Sequence, residues 1–210
     1  MMAHSWRFGS SGIRALMGGA EHELNAASIA LIARATAAVL REDNPGGGDI
    51  AVCYDSRENS ALFARTAAAA FTAAGFCVYL SPAPTPFLAF AVRRLRAKAG
   101  VSITASHNPR QYNGYKLYGP DGAQAGADLC RRVEERIRIL SAAGAANAAG
   151  GHTAFAAAHK PIPPAVEEDY LRLVIAHTGA AGIRPEAVSA AYTPLGGAAG
   201  RLMRRLADSL

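Results

Sequence analysis

A chain of 210 residues, half of them hydrophobic and 18% charged, can bury a sizeable core and reads as globular. Its formal net charge of +6 favours anionic ligands, phosphate esters as readily as nucleic acid. No stretch reaches the ~18 uncharged apolar residues of a membrane span and the N-terminus lacks an apolar signal core, so no membrane partner is expected and the expected location is the cytoplasm.

Asn25 can cap a helix over 26–43, where Ile29, Ile32, Ala33, Thr36 and Val39 recur at helical spacing. The run NPGGGD at 44–49 ends it. Residues 50–54, Ile-Ala-Val-Cys-Tyr, predict a buried strand that runs into the polar loop Asp55-Ser56-Arg57. A helix over roughly 60–74 follows, closed by Gly75, and residues 76–80 repeat the strand pattern. After the loop SPAPTP, residues 87–97 predict a helix and 100–104 a third strand. The basic groups Arg93-Arg94-Leu95-Arg96 and Arg201-Leu202-Met203-Arg204-Arg205 lack interleaved aromatics and read as solvated helix faces, so no nucleic-acid partner is expected. Cys53, Cys77 and Cys130 are odd in number and widely spaced, which suggests neither a disulfide framework nor a zinc site.

Strand, loop and helix thus alternate three times, which predicts a three-layer α/β/α domain with a mixed, mainly parallel sheet. The clusters at 55–57, 84–86 and 105–108 each follow an inferred strand, so they are expected to converge on one edge of that sheet. Further along, 116–118 is a short strand candidate, GPDG a turn, 126–141 a helix, 142–158 a low-complexity surface loop, and 164–177 a helix with an acidic first turn. A strand at 187–192 and a helix from about 197 close the sequence. One strand and one helix cannot close a core, so the expected division is a first domain at 1–183 and the incomplete start of a second α/β domain at 184–210; docking of this unit onto the first sheet is the alternative.

The chemistry concentrates in TASHNPRQYNGYK, residues 104–116. Ser106 is a potential nucleophile that needs a base, a metal or a suitable electrophile. Asn108-Pro109 favours a turn exposing it, Gly114 permits a close approach, Lys116 adds a cation, and His107 adds an imidazole for hydrogen bonding or proton movement. Together these suit phosphate handling. No HExxH, CxxC or GxSxG pattern is present, and the glycines at 46–48 lack the Lys and Ser/Thr of a nucleotide P-loop.

This string resembles the phosphoserine loop of the α-D-phosphohexomutases, the phosphoglucomutase and phosphomannomutase superfamily. Phe8-Gly9-Ser10-Ser11-Gly12-Ile13-Arg14 resembles the family's opening motif, and Tyr54-Asp55-Ser56-Arg57 its first strand end. RALMG at 14–18, PTPFLAFAV at 84–92 and GAQ at 122–124 resemble the phosphoglucomutase type, which includes phosphopentomutases. Tyr192-Thr193-Pro194-Leu195-Gly196-Gly197 resembles the start of the family's second domain, with Gly196 where histidine is common.

The resemblance implies a phosphosugar mutase that moves phosphate reversibly between the 1-position and the 6-position of a sugar, or the 5-position of a pentose, through a phosphoserine and a bisphosphate. It places Ser106, His107, Lys116 and Arg14 in the catalytic neighbourhood, with Lys116 and Arg14 stabilising charge or moving a proton. Ser11, Asp55, Arg57, Thr85, Asn108 and Asn113 take substrate-binding or loop-supporting places. It further implies Mg2+, ligated here only by Ser106 through its phosphate, a priming sugar bisphosphate such as glucose 1,6-bisphosphate, and small sugar phosphates as partners. The family's metal, sugar and distal-phosphate loops belong to further C-terminal domains, so the chain by itself is expected to be inactive. The alternative reading is a truncated, catalytically silent module that binds phosphosugars or a protein partner.

Overall fold

The computed structural model describes residues 6–144, 159–179 and 189–209. In chain order they form β1 (Ile13–Leu16), α1 (Ala26–Asp43), β2 (Asp49–Tyr54), α2 (Ser60–Ala73), β3 (Cys77–Pro82), α3 (Thr85–Leu95), β4 (Ala99–Ile103), β5 (Tyr112–Tyr118), α4 (Ala127–Ala142), β6 (His159–Lys160), α5 (Pro164–Gly179) and α6 (Gly200–Ala207). The six strands make one sheet in the order β1-β5-β4-β2-β3-β6. Strands β4, β2, β3 and β6 run parallel, and β5 joins antiparallel to both β4 and β1. The expected mixed, mainly parallel sheet is therefore present.

Alternation along β2 shows why the sheet needs cover on both sides. Ile50 and Val52 point into a cluster with Ile29, Ile32, Phe63, Phe71, Val133 and Ile137, which α1, α2 and α4 contribute. Ala51 and Cys53 point into a second cluster with Phe87, Leu88, Ile162, Val166 and Leu171, from α3, α5 and the segment between. Successive side chains on a strand face opposite ways, so a strand apolar at both parities has to be sandwiched. The result is the predicted α/β/α layering.

At its N-terminus α1 carries a reciprocal cap: Asn25 Oδ1 accepts from the Ser28 amide at 3.0 Å and Ser28 Oγ accepts from the Asn25 amide at 2.9 Å. Its loss costs about 1 kcal/mol. The five residues expected on its buried face are all buried. Other boundaries moved. Helix α3 starts at Thr85 rather than 87, because Pro84 in an extended conformation serves as its N-cap.

Strand β5 begins at Tyr112, not 116, so the Asn113-Gly114 pair lies inside a strand. A Cβ on Gly114 would lie 2.6 Å from Thr104 O and 2.7 Å from Ile13 O. A glycine is the residue that lets both flanking backbones approach this closely. Strands β1 and β6 have no counterpart in the sequence analysis, since four and two residues are too short for a periodicity to declare itself.

The end of the chain corrects one expectation. Residues 189–194 form no strand, and 187–188, like most of the loop expected at 142–158, lie outside the described residues. A lone strand gains ladder hydrogen bonds only from a neighbour, and this one has none among the described residues. Helix α6 does form, and it packs on α5 with Leu202 5% exposed. No described helix is long and apolar enough to cross a membrane.

Candidate active site

The C-terminal ends of the parallel strands β2, β3 and β4 converge, as expected, on a cleft of about 790 Å³. Asp55, Arg57, Thr85, Ser106, Asn108 and Lys116 line it. Ser102, Thr104, Glu58, Arg110 and residues 195–198 complete the wall and were not among the expected site residues.

Ser106 stands exposed at the tip of the loop between β4 and β5 with φ +60°. A side-chain-bearing residue in this left-handed region costs about 1–3 kcal/mol, so the surroundings must impose it. Thr104 does so from below: its hydroxyl accepts from the Ser106 amide at 2.9 Å and donates to Asp55 Oδ2 at 2.5 Å. Arg57 does so from the side. Its Nε pairs with Asp55 Oδ2 at 3.2 Å, while its four other N–H donors go to the carbonyls of Ser106, Asn108, Pro109 and Tyr112 at 2.6–3.1 Å. Each hydrogen bond to a charged donor contributes about 1.5–3 kcal/mol, so this one guanidinium outweighs the strain at Ser106. With all five donors committed, Arg57 supports the loop and leaves no N–H for a ligand.

Asp55 is saturated in the same way, because Oδ1 also accepts from the Arg57 amide at 3.0 Å and from Ser60 Oγ at 2.7 Å. Asn113 is a brace as well. It is wholly buried, donates to Ser60 Oγ at 2.9 Å and to Glu58 O at 3.2 Å, and lies outside the cleft lining. Thr85 keeps a place on the cleft, its hydroxyl 3.2 Å from that of buried Ser102.

Lys116 differs from these. It is 8% exposed, sits opposite Ser102 in the β4–β5 register, lines the cleft, and has no hydrogen-bond or ion-pair partner among the described residues. Burial pushes its pKa down, the Arg14 guanidinium pushes it further down, and Asp55 only partly opposes them. The turn at 9–12 covers its stem: Gly12, at φ +99°, would place a Cβ 2.9 Å from Lys116 Cγ and 2.7 Å from Tyr115 O. Gln124 Nε2 holds this turn through Ser10 O at 3.1 Å, which is what the GAQ stretch does locally.

The other expected residues take less central places. Arg14 reaches Asn108 Oδ1 at 3.0 Å, its Nε is buried without a partner, and it does not line the cleft. His107 is exposed, off the lining, and without a hydrogen bond among the described residues. Ser11 sits in the turn over Lys116, half-buried, away from the lining.

A sequence model described as "Phosphoglucomutase/phosphomannomutase, alpha/beta/alpha domain I" matches residues 6–143. The chain belongs to this family. Among relatives of this phosphoglucomutase/phosphomannomutase domain, a phosphoglucomutase of Staphylococcus haemolyticus is 43% identical over 137 residues, 63% of this chain and 24% of that protein. A phosphoglucomutase of Staphylococcus epidermidis is 37% identical over 169 residues, 80% of this chain and 31% of its own length. The chain thus spans a quarter to a third of the curated relatives it matches. A structure from Thermus thermophilus, described as that of a phosphomannomutase, superposes with TM-score 0.68 at 30% identity, covering 84% of this chain and 37% of that one. A phosphoglucomutase/phosphomannomutase family protein from Burkholderia thailandensis shares the fold, with TM-score 0.64 at 24% identity, over 83% and 36% of the two chains.

Of the lining residues that sequence reasoning missed, Thr104 was the most legible, being the first polar residue after an apolar strand. Residues 195–198 had no local signal, since only the docking of α6 brings them to the cleft.

Proposed function

We propose that this chain is the phosphoserine-bearing first domain of a phosphosugar mutase, with Ser106 as the phosphoryl carrier. One observation supports this above all: an exposed serine, held through its backbone, shares its surroundings with Lys116, while the Asp55 carboxylate that acts on Lys116 is already fully bonded. With Asp55 committed to Arg57, Thr104 and Ser60, the charge of Lys116 is left to favour an added phosphate.

In the proposed reaction the bond from Ser106 Oγ to phosphorus breaks as a sugar hydroxyl oxygen bonds to the same phosphorus. The hydroxyl proton ends on Ser106 Oγ. Lys116 suits the transfer, because burial lowers its pKa and so eases the passage of a proton through its amine from the sugar hydroxyl to the leaving serine oxygen. Arg14 cannot release a proton, so its part is charge and its hold on Asn108. His107 has no partner among the described residues and is free to bond to a group the substrate brings.

The family is generally magnesium-dependent, and the donors among the described residues do not build a magnesium site by themselves. Asp55 has both oxygens committed, and no cluster of three or more His, Cys, Asp or Glu suited to a metal occurs among the described residues. A phosphate on Ser106 would add one oxygen ligand, and the rest would come from outside the described residues.

Incubating the complete enzyme with glucose 1,6-bisphosphate is expected to place phosphate on Ser106, read by mass spectrometry of the 104–116 region. Label on another serine with Ser106 unmodified would sink the assignment, and no label at all would favour a silent binding module. For residues 1–210 alone, a coupled assay with a sugar 1-phosphate, magnesium and a priming bisphosphate is expected to show no turnover. The cleft is open to solvent here, and holding a bisphosphate away from water needs more. Sustained turnover would show that this domain is self-sufficient.

A further inference from the structure

Glu167 is not part of the cleft, yet it is one of the few buried charged side chains of the chain, at 6% exposed. It lies in the first turn of α5 and accepts from two arginines of α6: Arg201, through Nη1 at 2.7 Å and Nη2, and Arg205 through Nη1. The i, i+4 spacing of these arginines puts both guanidiniums on one side of α6. Leu202 and Leu206, spaced the same way, reach the apolar cluster of Phe87, Val166 and Leu171. Helix α6 is therefore held by a charge clamp and an apolar contact together.

What the clamp holds in place matters more. The segment immediately before α6, residues 195–198, forms one wall of the Ser106 cleft, and Ser56 Oγ donates to Gly196 O across it. Its turn runs through Leu195 at φ +47° and Gly196 at φ +81°, closed by the Gly197 amide on Pro194 O at 2.7 Å. A leucine in the left-handed region, 90% exposed, has no packing of its own to keep it there. The wall is thus anchored at Ser56 on one side and by α6 on the other.

We infer that Glu167 is a positioning residue: by clamping Arg201 and Arg205 it fixes residues 195–198 as the cleft wall facing Ser106. Its consequence for catalysis rests on the mutase reading, whereas the clamp itself does not. Amide hydrogen exchange on the 210-residue chain carrying Glu167→Ala is expected to show at least about tenfold faster exchange through 195–206, with β2 and β4 unchanged. Arg201→Met with Arg205→Met, altering only side chains 56% and 40% exposed, gives the same result if Glu167→Ala does not fold. In the complete enzyme either change is expected to raise KM for the sugar phosphate about tenfold with a smaller effect on kcat, and Glu167→Asp to recover part of it. Unchanged exchange overturns the clamp. Faster exchange with wild-type KM and kcat overturns the positioning role. Absence of turnover in the unmutated complete enzyme would overturn the mutase reading instead, and the exchange result would still decide the clamp.

Discussion

Lys116→Met is expected to slow the complete enzyme by about 10²-fold or more while making the fold more stable at neutral pH. The two effects share one cause. Lys116 is buried without a partner among the described residues, and its pKa in the fold is lowered by burial first and by Arg14 second. The unfolded chain therefore holds this proton more tightly than the folded chain does. Between the lowered pKa and the ordinary lysine value of 10.5, the unfolded state carries more protons, so stability rises with pH across that window. Below the window the cost of burying the charge is fully present. Methionine removes it, so the variant's gain in melting temperature is largest below that window and shrinks as pH approaches 10.5. The same removal deletes the group proposed to carry the proton and to offset charge on the phosphoryl oxygens. Near-wild-type kinetics, or a variant less stable than its parent at neutral pH, would reduce Lys116 to an ordinary strand lysine.

Arg57→Lys is the second large effect, and it tests the clamp on the loop that carries Ser106 rather than the chemistry. A lysine keeps the charge near Asp55 but cannot span the four carbonyls of Ser106, Asn108, Pro109 and Tyr112 that the planar guanidinium reaches. Without them the left-handed Ser106 can relax toward ordinary backbone, and its hydroxyl moves from the line of transfer. A displacement of about 1 Å can cost on the order of 10²-fold, and a loss of that size is expected in kcat, with faster amide exchange confined to 104–112. Retention of full activity in Arg57→Lys would mean that Thr104 alone sets the serine.

The layered fold was legible because its cause is local. Strand β2 is apolar at both parities, α1 repeats its apolar residues at helical spacing behind an Asn cap, and each predicts its own burial without reference to the other. Convergence of 55–57, 84–86 and 105–108 on one cleft also followed, since parallel strands in one sheet end on the same side. Strands β1 and β6 escaped, being too short to show a period, and so did the true length of β5, whose Asn-Gly pair carries a turn signal that close packing between β4 and β1 overrides.

The candidate site divides along the same line. Sequence by itself singled out the residues proposed for the site: Ser106 in its loop, Asp55 and Arg57 at a strand end, and Lys116 ten residues beyond the serine all stand in recognisable strings. Only the tertiary structure decided what each one does. Arg57 and Asn113 turned out to be braces with their donors spent on backbone, on Asp55 or on Ser60, whereas Lys116 was left buried and unpaired among the described residues. It also decided that residues 195–198 wall the cleft and that α6 is anchored through Leu202 and Glu167. Whether a hydrogen-bond donor is spent or free depends on which backbone arrives beside it from elsewhere in the chain. That juxtaposition is set by packing over separations of tens of residues, and no local pattern encodes it.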